Sequence, residues 1–328
     1  MSLRDKFVRT TGKFTDIIPI AVVETLVLVF VAAIVASVLF SVIGIPGIPR
    51  ELFSDPEAAA EQVPAYVSCA AEYLTFVGFW VVFLLAIVIP PSNRRMLRKL
   101  VPGWGGNTFK SILFGLLAGF VLNATCVVIS IFTKDVALSF DHFEPLPLLI
   151  IFGAVFVQSS AEELVTRLFL YQKLRRRYKS PIVAMVVSAL FFMALHLANP
   201  GINTAAIIQI VSIGVLFTVL VHYYDALGAC MMIHTTWNFT QNIIFGLPNS
   251  GIVSQYSIFK LEAASSGPFF DPAFGVEGSY GASALIIASI IVLVVIAKAQ
   301  HRKPDDLWGD GEAYVEESTE YVPKHAAK

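Results

Sequence analysis

Charged residues are scarce in this chain. Of its 328 residues, 14% are Asp, Glu, Lys or Arg and 56% are hydrophobic, and the mean hydropathy is +0.72. A soluble globular domain carries about 25% charged residues, so this chain has too few to cover a surface that faces water. The composition therefore argues against an ordinary soluble domain and predicts a protein embedded in a lipid bilayer.

Cysteine is also scarce, and several catalytic motifs are missing. Cys69, Cys126 and Cys230 lie in apolar stretches, where small buried packing residues are expected. They support neither a disulfide framework nor a paired-cysteine motif. The sequence has no His-Glu-x-x-His zinc motif, no intramembrane aspartate pair, and no Gly-x-Ser-x-Gly elbow. It also has no phosphate loop and no nucleic-acid motif, so no nucleic-acid partner is expected.

The chain has long hydrophobic runs instead. A helix needs about 20 residues to cross a hydrocarbon core about 30 Å thick. Eight apolar stretches are long enough by this measure, which predicts an all-α fold: a polytopic membrane bundle of about eight transmembrane helices. They lie near residues 17–43, 66–90, 111–132, 148–171, 181–198, 204–222, 226–246 and 282–298.

Basic residues are distributed unevenly among the loops between these stretches. Loops 44–65, 133–147 and 247–281 contain few, whereas two other loops are strongly basic. Because positively charged loops remain in the cytoplasm, a multi-pass protein of the cell membrane is predicted, with both termini cytoplasmic. The basic loops contain Arg94, Arg95, Arg98, Lys99, Lys173, Arg175, Arg176, Arg177 and Lys179.

The chain divides into three regions on this basis. Residues 1–145 form an N-terminal region of about three spans. Residues 146–246 contain four spans with the polar residues considered below, and are predicted to form the functional core. Residues 247–328 contain an external loop, a final span and a polar, acidic cytoplasmic tail that is expected to be disordered.

Two adjacent glutamates, Glu162 and Glu163, interrupt one of the apolar stretches. Ionised groups in a bilayer cost on the order of 3 kcal/mol or more, so they mark candidate functional sites. Arg167 follows Glu163 by four residues and shares its helix face, which predicts an ion pair. Glu162 points about 100° away and is left without that partner. A carboxylate in this position suits a general base.

Two neighbouring stretches contribute further polar groups of catalytic type. His196 follows Phe192 by four residues, so the aromatic ring is expected to pack against the imidazole. His234 and Asn238 have the same spacing and can present an imidazole and an amide together. Other polar residues in the spans are isolated and are expected to make packing or interfacial contacts: Asn123, Gln158, Gln209 and His222.

Each of these residues also has a structural interpretation. An intramembrane histidine often makes a helix–helix hydrogen bond, and a Glu–Arg pair can hold helices together. A proton-coupled transporter, with Glu162 and His196 as relay groups, is a further alternative. Transporters more often consist of two related halves, whereas these polar residues occur in the second half only. Acid, base and amide groups on three neighbouring stretches favour an active site.

The pattern resembles the signature of a known family. Glu162-Glu163-x-x-x-Arg167, then Phe192-x-x-x-His196, then His234-x-x-x-Asn238 is similar to the motifs of the CPBP family. That family comprises the type II CAAX prenyl endopeptidases and the bacteriocin-processing or self-immunity (Abi) membrane proteins. The resemblance covers residues 146–246.

The resemblance implies an intramembrane endopeptidase acting on a membrane-embedded, lipidated or secreted peptide. On the family pattern, Glu162 and His196 would activate the attacking water. His234 and Asn238 would stabilise the tetrahedral oxyanion, a task for preorganised donors in a low-dielectric site. A non-catalytic membrane scaffold or immunity protein of the same fold is the alternative.

The resemblance also implies supporting residues and leaves the cofactor open. Glu163 and Arg167 would hold the helix geometry. Either no cofactor is needed, or Glu162, His196 and His234 would bind Zn²⁺ and leave a coordination position open for substrate.

Overall fold

The computed structural model describes residues 12–43, 63–302 and 307–309, apart from the side chains of residues 42 and 43. The basic residues before position 12 and the acidic residues of loop 44–62 lie outside the described residues. So does most of the tail that is expected to be disordered.

The described residues form a bundle of α-helices with one small antiparallel sheet. The helices are α1 (Ile18–Val38), α2 (Ala65–Leu74), α3 (Val77–Val88), α4 (Phe109–Phe132), α5 (Pro145–Glu163), α6 (Tyr171–Arg177), α7 (Pro181–Leu195), α8 (Thr204–Tyr224), α9 (Leu227–Asn238) and α10 (Tyr280–Ala299). The strands β1 (Val136–Phe140) and β2 (Phe259–Ala264) pair with each other. Turns of 3₁₀-helix lie at Phe14–Asp16, Pro91–Leu100 and Val276–Gly278, and π-helical turns at Leu39–Ile43, Leu164–Leu170 and Phe239–Ile244.

All eight predicted stretches are helical, and the all-α polytopic bundle is confirmed. Among the described residues, however, only six helical stretches are long and apolar enough to cross a membrane. The other two predicted spans are shorter. Helix α7 has 15 residues and ends just before His196, and α9 has 12 residues and continues as a π-helical turn. The helices of full length cover residues 18–41, 65–88, 109–132, 145–177, 204–224 and 280–299.

The outward faces of the long helices are apolar. Phe30 of α1, Leu117 of α4 and Ile291 of α10 each expose more than half of their surface, at 62%, 52% and 58%. Such faces are unfavourable in water and favourable in hydrocarbon. They are consistent with a multi-pass membrane protein.

Ion pairs gather at one end of the bundle, which we call the basic end and define by residues 13–16, 91–107 and 171–179. Arg176 Nη2 lies 2.6 Å from Asp16 Oδ1, with both side chains buried. Lys99 Nζ lies 2.5 Å from Asp225 Oδ1. These pairs join distant segments of the chain, so the basic residues at this end also connect its loops.

Trp308 departs from the expectation of a disordered tail. Its side chain is buried, and its indole Nε1 donates a hydrogen bond of 2.8 Å to the Gln172 carbonyl oxygen. The Arg176 guanidinium lies 4.9 Å from the centre of its ring. An aromatic ring with a polar edge can satisfy both contacts, so the described residues 307–309 pack onto the basic end.

Helices α4 and α9 pack closely because α4 has glycines at the contact. A Cβ atom at Gly119 would collide with Thr236 Oγ1 and with the Ile233 carbonyl oxygen. A Cβ atom at Gly115 would lie 2.6 Å from the Ala229 carbonyl oxygen. Small residues four apart allow membrane helices to approach in this way. The pair therefore sets the position of α9, which carries His234 and Asn238.

We expect Gly119→Ala to destabilise the protein by about 1–3 kcal/mol, the range for overpacking a close contact. Gly153→Ala in α5 is the matched control, because a Cβ atom there meets nothing within 4 Å. Thermal unfolding of both variants in detergent measures the difference. A Gly119→Ala protein as stable as Gly153→Ala would contradict the close approach of α4 and α9.

Candidate active site

Arg167 and Glu163 form an ion pair in the interior, where both side chains are fully buried. Arg167 Nη1 lies 3.1 Å from Glu163 Oε1, which confirms the pairing predicted from their spacing. The same nitrogen donates to Thr166 Oγ1 at 2.6 Å, and Nη2 donates to the Gly214 carbonyl oxygen at 3.3 Å. A buried ion pair is tolerated where further hydrogen bonds replace the lost water. These bonds do so in part, since Arg167 Nε and Glu163 Oε2 have no hydrogen-bond partner.

Aromatic rings enclose this guanidinium and connect it to both histidines. Arg167 Cζ lies 4.5 Å from the ring centre of Phe192 and 5.1 Å from that of Phe217. The Phe192 ring centre is also 4.7 Å from that of His196 and 5.9 Å from that of His234. The predicted packing of Phe192 on His196 is confirmed. Phe192 contacts the arginine and both imidazoles, so it helps set their separation.

Two π-helical turns adjoin the polar residues. Leu164–Leu170 directly follows α5, and Phe239–Ile244 directly follows α9. In the first of these turns, the Thr166 carbonyl oxygen accepts a hydrogen bond of 2.8 Å from Ser188 Oγ of α7. Single π-helical turns inside helices occur frequently at functional sites. Here the first one is hydrogen-bonded to the helix that precedes His196.

His234 lies between the two adjacent glutamates. Its Nδ1 is 2.9 Å from Glu163 Oε1, and its Nε2 is 3.6 Å from Glu162 Oε2. Glu163 is the ion-pair partner of Arg167, and a carboxylate only accepts hydrogen bonds. The His234 Nδ1 therefore carries a proton and donates it to Glu163, and Nε2 faces Glu162. The sequence predicted the separation of the two carboxylates, but not that both would meet one imidazole.

A backbone carbonyl oxygen of α7 holds the His196 ring. His196 follows α7, and its Nδ1 lies 2.8 Å from the Phe192 carbonyl oxygen. A carbonyl oxygen can only accept, so Nδ1 carries the proton in this contact. In the neutral imidazole, Nε2 then retains its lone pair and can accept a proton from another group.

Gln158 connects Glu162 to Asn238, which corrects the expectation that Gln158 is an isolated packing residue. Its Nε2 donates to Glu162 Oε1 at 2.5 Å, and its Oε1 accepts from Asn238 Nδ2 at 3.3 Å. The signal was present in the sequence, since Gln158 precedes Glu162 by four residues and shares its helix face. The amide joins two side chains from different helices.

These groups line a common cavity of about 380 Å³, whose wall includes Glu162, His196, His234 and Asn238. All four predicted catalytic residues therefore meet in one place. A smaller chamber of about 30 Å³ adjoins it and shares His196, His234 and Asn238. A chamber of that volume holds roughly one or two water molecules.

The loop after α9 contributes residues that the sequence did not single out. Asn249 lines the larger cavity and Glu277 the smaller one. Glu277 is buried, and burial raises the pKa of its carboxyl above the ordinary value, while hydrogen bonds from Trp237 and Gln241 oppose that shift. No helix periodicity relates these loop residues to His234, so the sequence offered no signal for them.

The donor atoms do not form a metal site in the described part of the chain. No three His, Cys, Asp or Glu side chains there converge closely enough to hold an ion. The candidate set is Glu162, His196 and His234. One nitrogen of each imidazole is directed at a protein oxygen, which leaves the other as the potential ligand, as in most metal-bound histidines.

Comparison with known proteins matches the segment that contains these residues. Residues 144–240 match the family model described as type II CAAX prenyl endopeptidase, Rce1-like. The match supports the resemblance of this segment to the CPBP family. The matched segment includes all four predicted catalytic residues of the family motif, and it ends before Asn249 and Glu277.

A bacterial relative adds no functional information. The chain is 27% identical over 179 residues to the uncharacterized protein YyaK of Bacillus subtilis (strain 168). The aligned part covers 52% of this chain and 56% of that protein, so the chain spans about half the length of the curated relative it matches. No solved structure matches the chain.

We expect Glu163→Gln to lower the yield of folded protein, because it leaves Arg167 buried without a counter-charge. Breaking a buried pair from one side costs about 3–5 kcal/mol. The matched control is Asp141→Asn, which breaks the solvent-exposed pair between Asp141 and Lys260 and should leave the yield unchanged. Gel filtration and thermal unfolding in detergent measure both. Equal behaviour of the two variants would show that the buried pair does not support the fold.

Proposed function

We propose that this protein is an intramembrane endopeptidase that hydrolyses a peptide bond in a membrane-embedded, lipidated or secreted peptide. The observation that carries the proposal is Glu162 Oε2, a buried carboxylate oxygen without a hydrogen-bond partner. It lies on the wall of a cavity that His196 also lines. A buried acceptor without a partner is costly to the fold and is expected where a reactant takes its place.

The first step uses the free atoms of Glu162 and His196. A water molecule between Glu162 Oε2 and His196 Nε2 would be oriented by both acceptors. Its oxygen attacks the carbonyl carbon of the scissile bond, and its proton passes to Glu162. As the tetrahedral intermediate collapses, the C–N bond breaks and Glu162 returns that proton to the leaving amine. General acid–base catalysis of this kind contributes about 10²–10⁴-fold to a rate.

The second requirement is stabilisation of the oxyanion. Asn238 Nδ2 and His234 Nε2 are the candidate donors, and both residues line the cavity. To donate from Nε2 while Nδ1 binds Glu163, His234 must carry a proton on both nitrogens. The carboxylates of Glu162 and Glu163 lie on either side of the ring and balance that charge. When Glu162 takes up the proton of water, the negative charge moves to the oxyanion, and His234 remains beside it.

The rest of the cavity wall supports an apolar substrate segment. Val29, Phe79 and Leu195 also line it. Ligand cavities commonly combine an apolar wall with a few polar groups that fix orientation. A hydrophobic peptide segment, or a peptide with an attached lipid, suits such a wall.

We expect Glu162→Gln to abolish cleavage while the protein stays folded. Glutamine retains the volume and can still bind Gln158, but it cannot accept a proton. The expected loss in kcat is at least about 100-fold. The assay uses detergent-purified protein and fluorogenic apolar peptides, with and without an attached lipid. Glu262→Gln, an exposed change on β2, is the matched control and should retain full activity.

Retained activity in Glu162→Gln would rule out the general-base role. Zinc content is measured on the same preparations. Stoichiometric zinc that disappears in His234→Ala together with activity would assign Glu162 and the histidines to a metal instead. A wild-type protein that cleaves none of the peptides would favour a non-catalytic role for the fold.

We further propose that the protein lies in the cell membrane with both termini in the cytoplasm. The basic end described above supports this orientation, because its loops concentrate lysine and arginine. In this orientation His196, at the end of α7 remote from the basic end, lies toward the outer leaflet.

Reporter fusions test the orientation. A reporter after Lys303, or inserted at Lys179, should be active only in its cytoplasmic form. A reporter inserted within residues 255–265 should behave as external. The reverse pattern at both kinds of position would invert the chain in the membrane.

A further inference from the structure

Glu277 is a buried carboxylate that receives hydrogen bonds from four directions. Its Oε1 accepts from Trp237 Nε1 and from Asn249 Nδ2, each at 2.7 Å. Its Oε2 accepts from Gln241 Nε2 at 2.5 Å and from the Ser250 backbone nitrogen at 3.4 Å. All four partners are donors, which fits an ionised carboxylate and leaves no acceptor for a carboxylic proton.

Gln241, in the π-helical turn after α9, connects this carboxylate to a second helix. Gln241 Nε2 also donates to the Pro248 carbonyl oxygen at 2.5 Å, and Gln241 Oε1 accepts from Asn123 Nδ2 of α4 at 2.7 Å. Glu277 therefore belongs to a network that joins α4, α9 and the loop after α9. Buried hydrogen-bond networks of this kind rigidify their surroundings, although Asn123 Oδ1 has no partner here.

Asn249 connects Glu277 to Asn238 of the candidate site. Because a carboxylate only accepts, Asn249 must direct its NH₂ group at Glu277. The same nitrogen lies 3.3 Å from Asn238 Oδ1. Asn238 Oδ1 thus accepts its hydrogen bond from the loop after α9. Its NH₂ group points the other way, with Nδ2 at 3.3 Å from Gln158 Oε1 and 3.4 Å from Ser159 Oγ.

We propose that Glu277 is a positioning residue that fixes, through Asn249, which end of the Asn238 amide faces the cavity. The inference rests on the proposed function, in which the Asn238 NH₂ group stabilises the oxyanion. The two ends of an amide have nearly the same size, so shape alone holds the orientation poorly. A reversed Asn238 would direct an oxygen at the oxyanion and would repel it. Glu277 and Asn249 lie outside the segment that matches the family model.

We call the hydrogen-bonded series Glu277–Asn249–Asn238 the relay. Glu277→Gln changes the hydrogen-bonding character at its first member with little change in shape. An amide offers one acceptor oxygen where the carboxylate offers two, and its NH₂ group would face other donors. We expect kcat to fall by about tenfold or more, because loss of one oxyanion donor costs about 10²–10³-fold and misorientation is partial loss. KM should change by less than about twofold, since substrate binding does not involve the oxyanion. An unchanged kcat would overturn the proposal.

Asp271→Ala is the control for damage to the same loop. Asp271 Oδ1 accepts hydrogen bonds from the backbone nitrogens of Ala273 at 3.0 Å and Phe274 at 2.8 Å, and its side chain makes no hydrogen bond to Asn249 or Asn238. This variant should lower the thermal midpoint without changing kcat per folded molecule. If it lowers kcat as much as Glu277→Gln does, the effect is general loosening of the loop and the proposal is wrong.

The decisive measurement is a double-mutant cycle with Asn238→Ala. If Glu277 acts through Asn238, Glu277→Gln causes no further loss of kcat once Asn238 is alanine. The same fold loss in both backgrounds would show that Glu277 acts independently of Asn238, and would overturn the relay.

Thermal midpoints are also measured for the wild type, the two single variants and the double variant. Unfolding does not require peptide hydrolysis, so these midpoints test the contacts of Glu277 independently of the proposed peptidase activity. If the wild type cleaves no peptide but the shifts in thermal midpoint are non-additive, the contacts from Glu277 through Asn249 to Asn238 are supported and the peptidase assignment is overturned. Additive shifts, with wild-type peptidase activity intact, would overturn the relay alone.

Discussion

The structure depends on the cost of placing Arg167 in an apolar interior. A buried guanidinium must be paired and hydrogen-bonded, and here Glu163 supplies the charge while Thr166 and Gly214 supply oxygens. The Glu163 oxygen that binds the arginine also receives His234 Nδ1. The requirement of one buried cation thus orients an imidazole at the cavity, and the position of the candidate site follows from it.

The parts of the site that could be predicted from the sequence are those within one helix. Glu163 with Arg167, and Phe192 with His196, are four residues apart, and helix geometry alone brings such pairs together. The long apolar runs likewise predicted the all-α membrane bundle, because few other structures satisfy the backbone in a bilayer. The two short helices were overestimated, since hydropathy does not register where a π-helical turn or a loop replaces the α-helix.

Contacts between helices could not be predicted in the same way. The spacing correctly separated Glu162 from Arg167, but it did not indicate that His234 of another helix would lie between both carboxylates. The Asn249 and Glu277 contacts depend on how an irregular loop folds back onto α9. Such a loop has no period from which a facing residue can be inferred. Gln158 shows both cases, because its contact with Glu162 lies within α5 and was visible in the spacing, whereas its contact with Asn238 of α9 was not.

The buried ion pair has a consequence for a protein in an energised membrane. Arg167 and Glu163 contribute one positive and one negative charge, and Arg167 Nη1 lies 3.1 Å from Glu163 Oε1. A membrane potential does work of about 2.3 kcal/mol per elementary charge per 100 mV, but it acts on the net charge that is displaced. A compact neutral pair experiences almost no net force. The pair can therefore lie deep in the bilayer without its stability following the voltage across it.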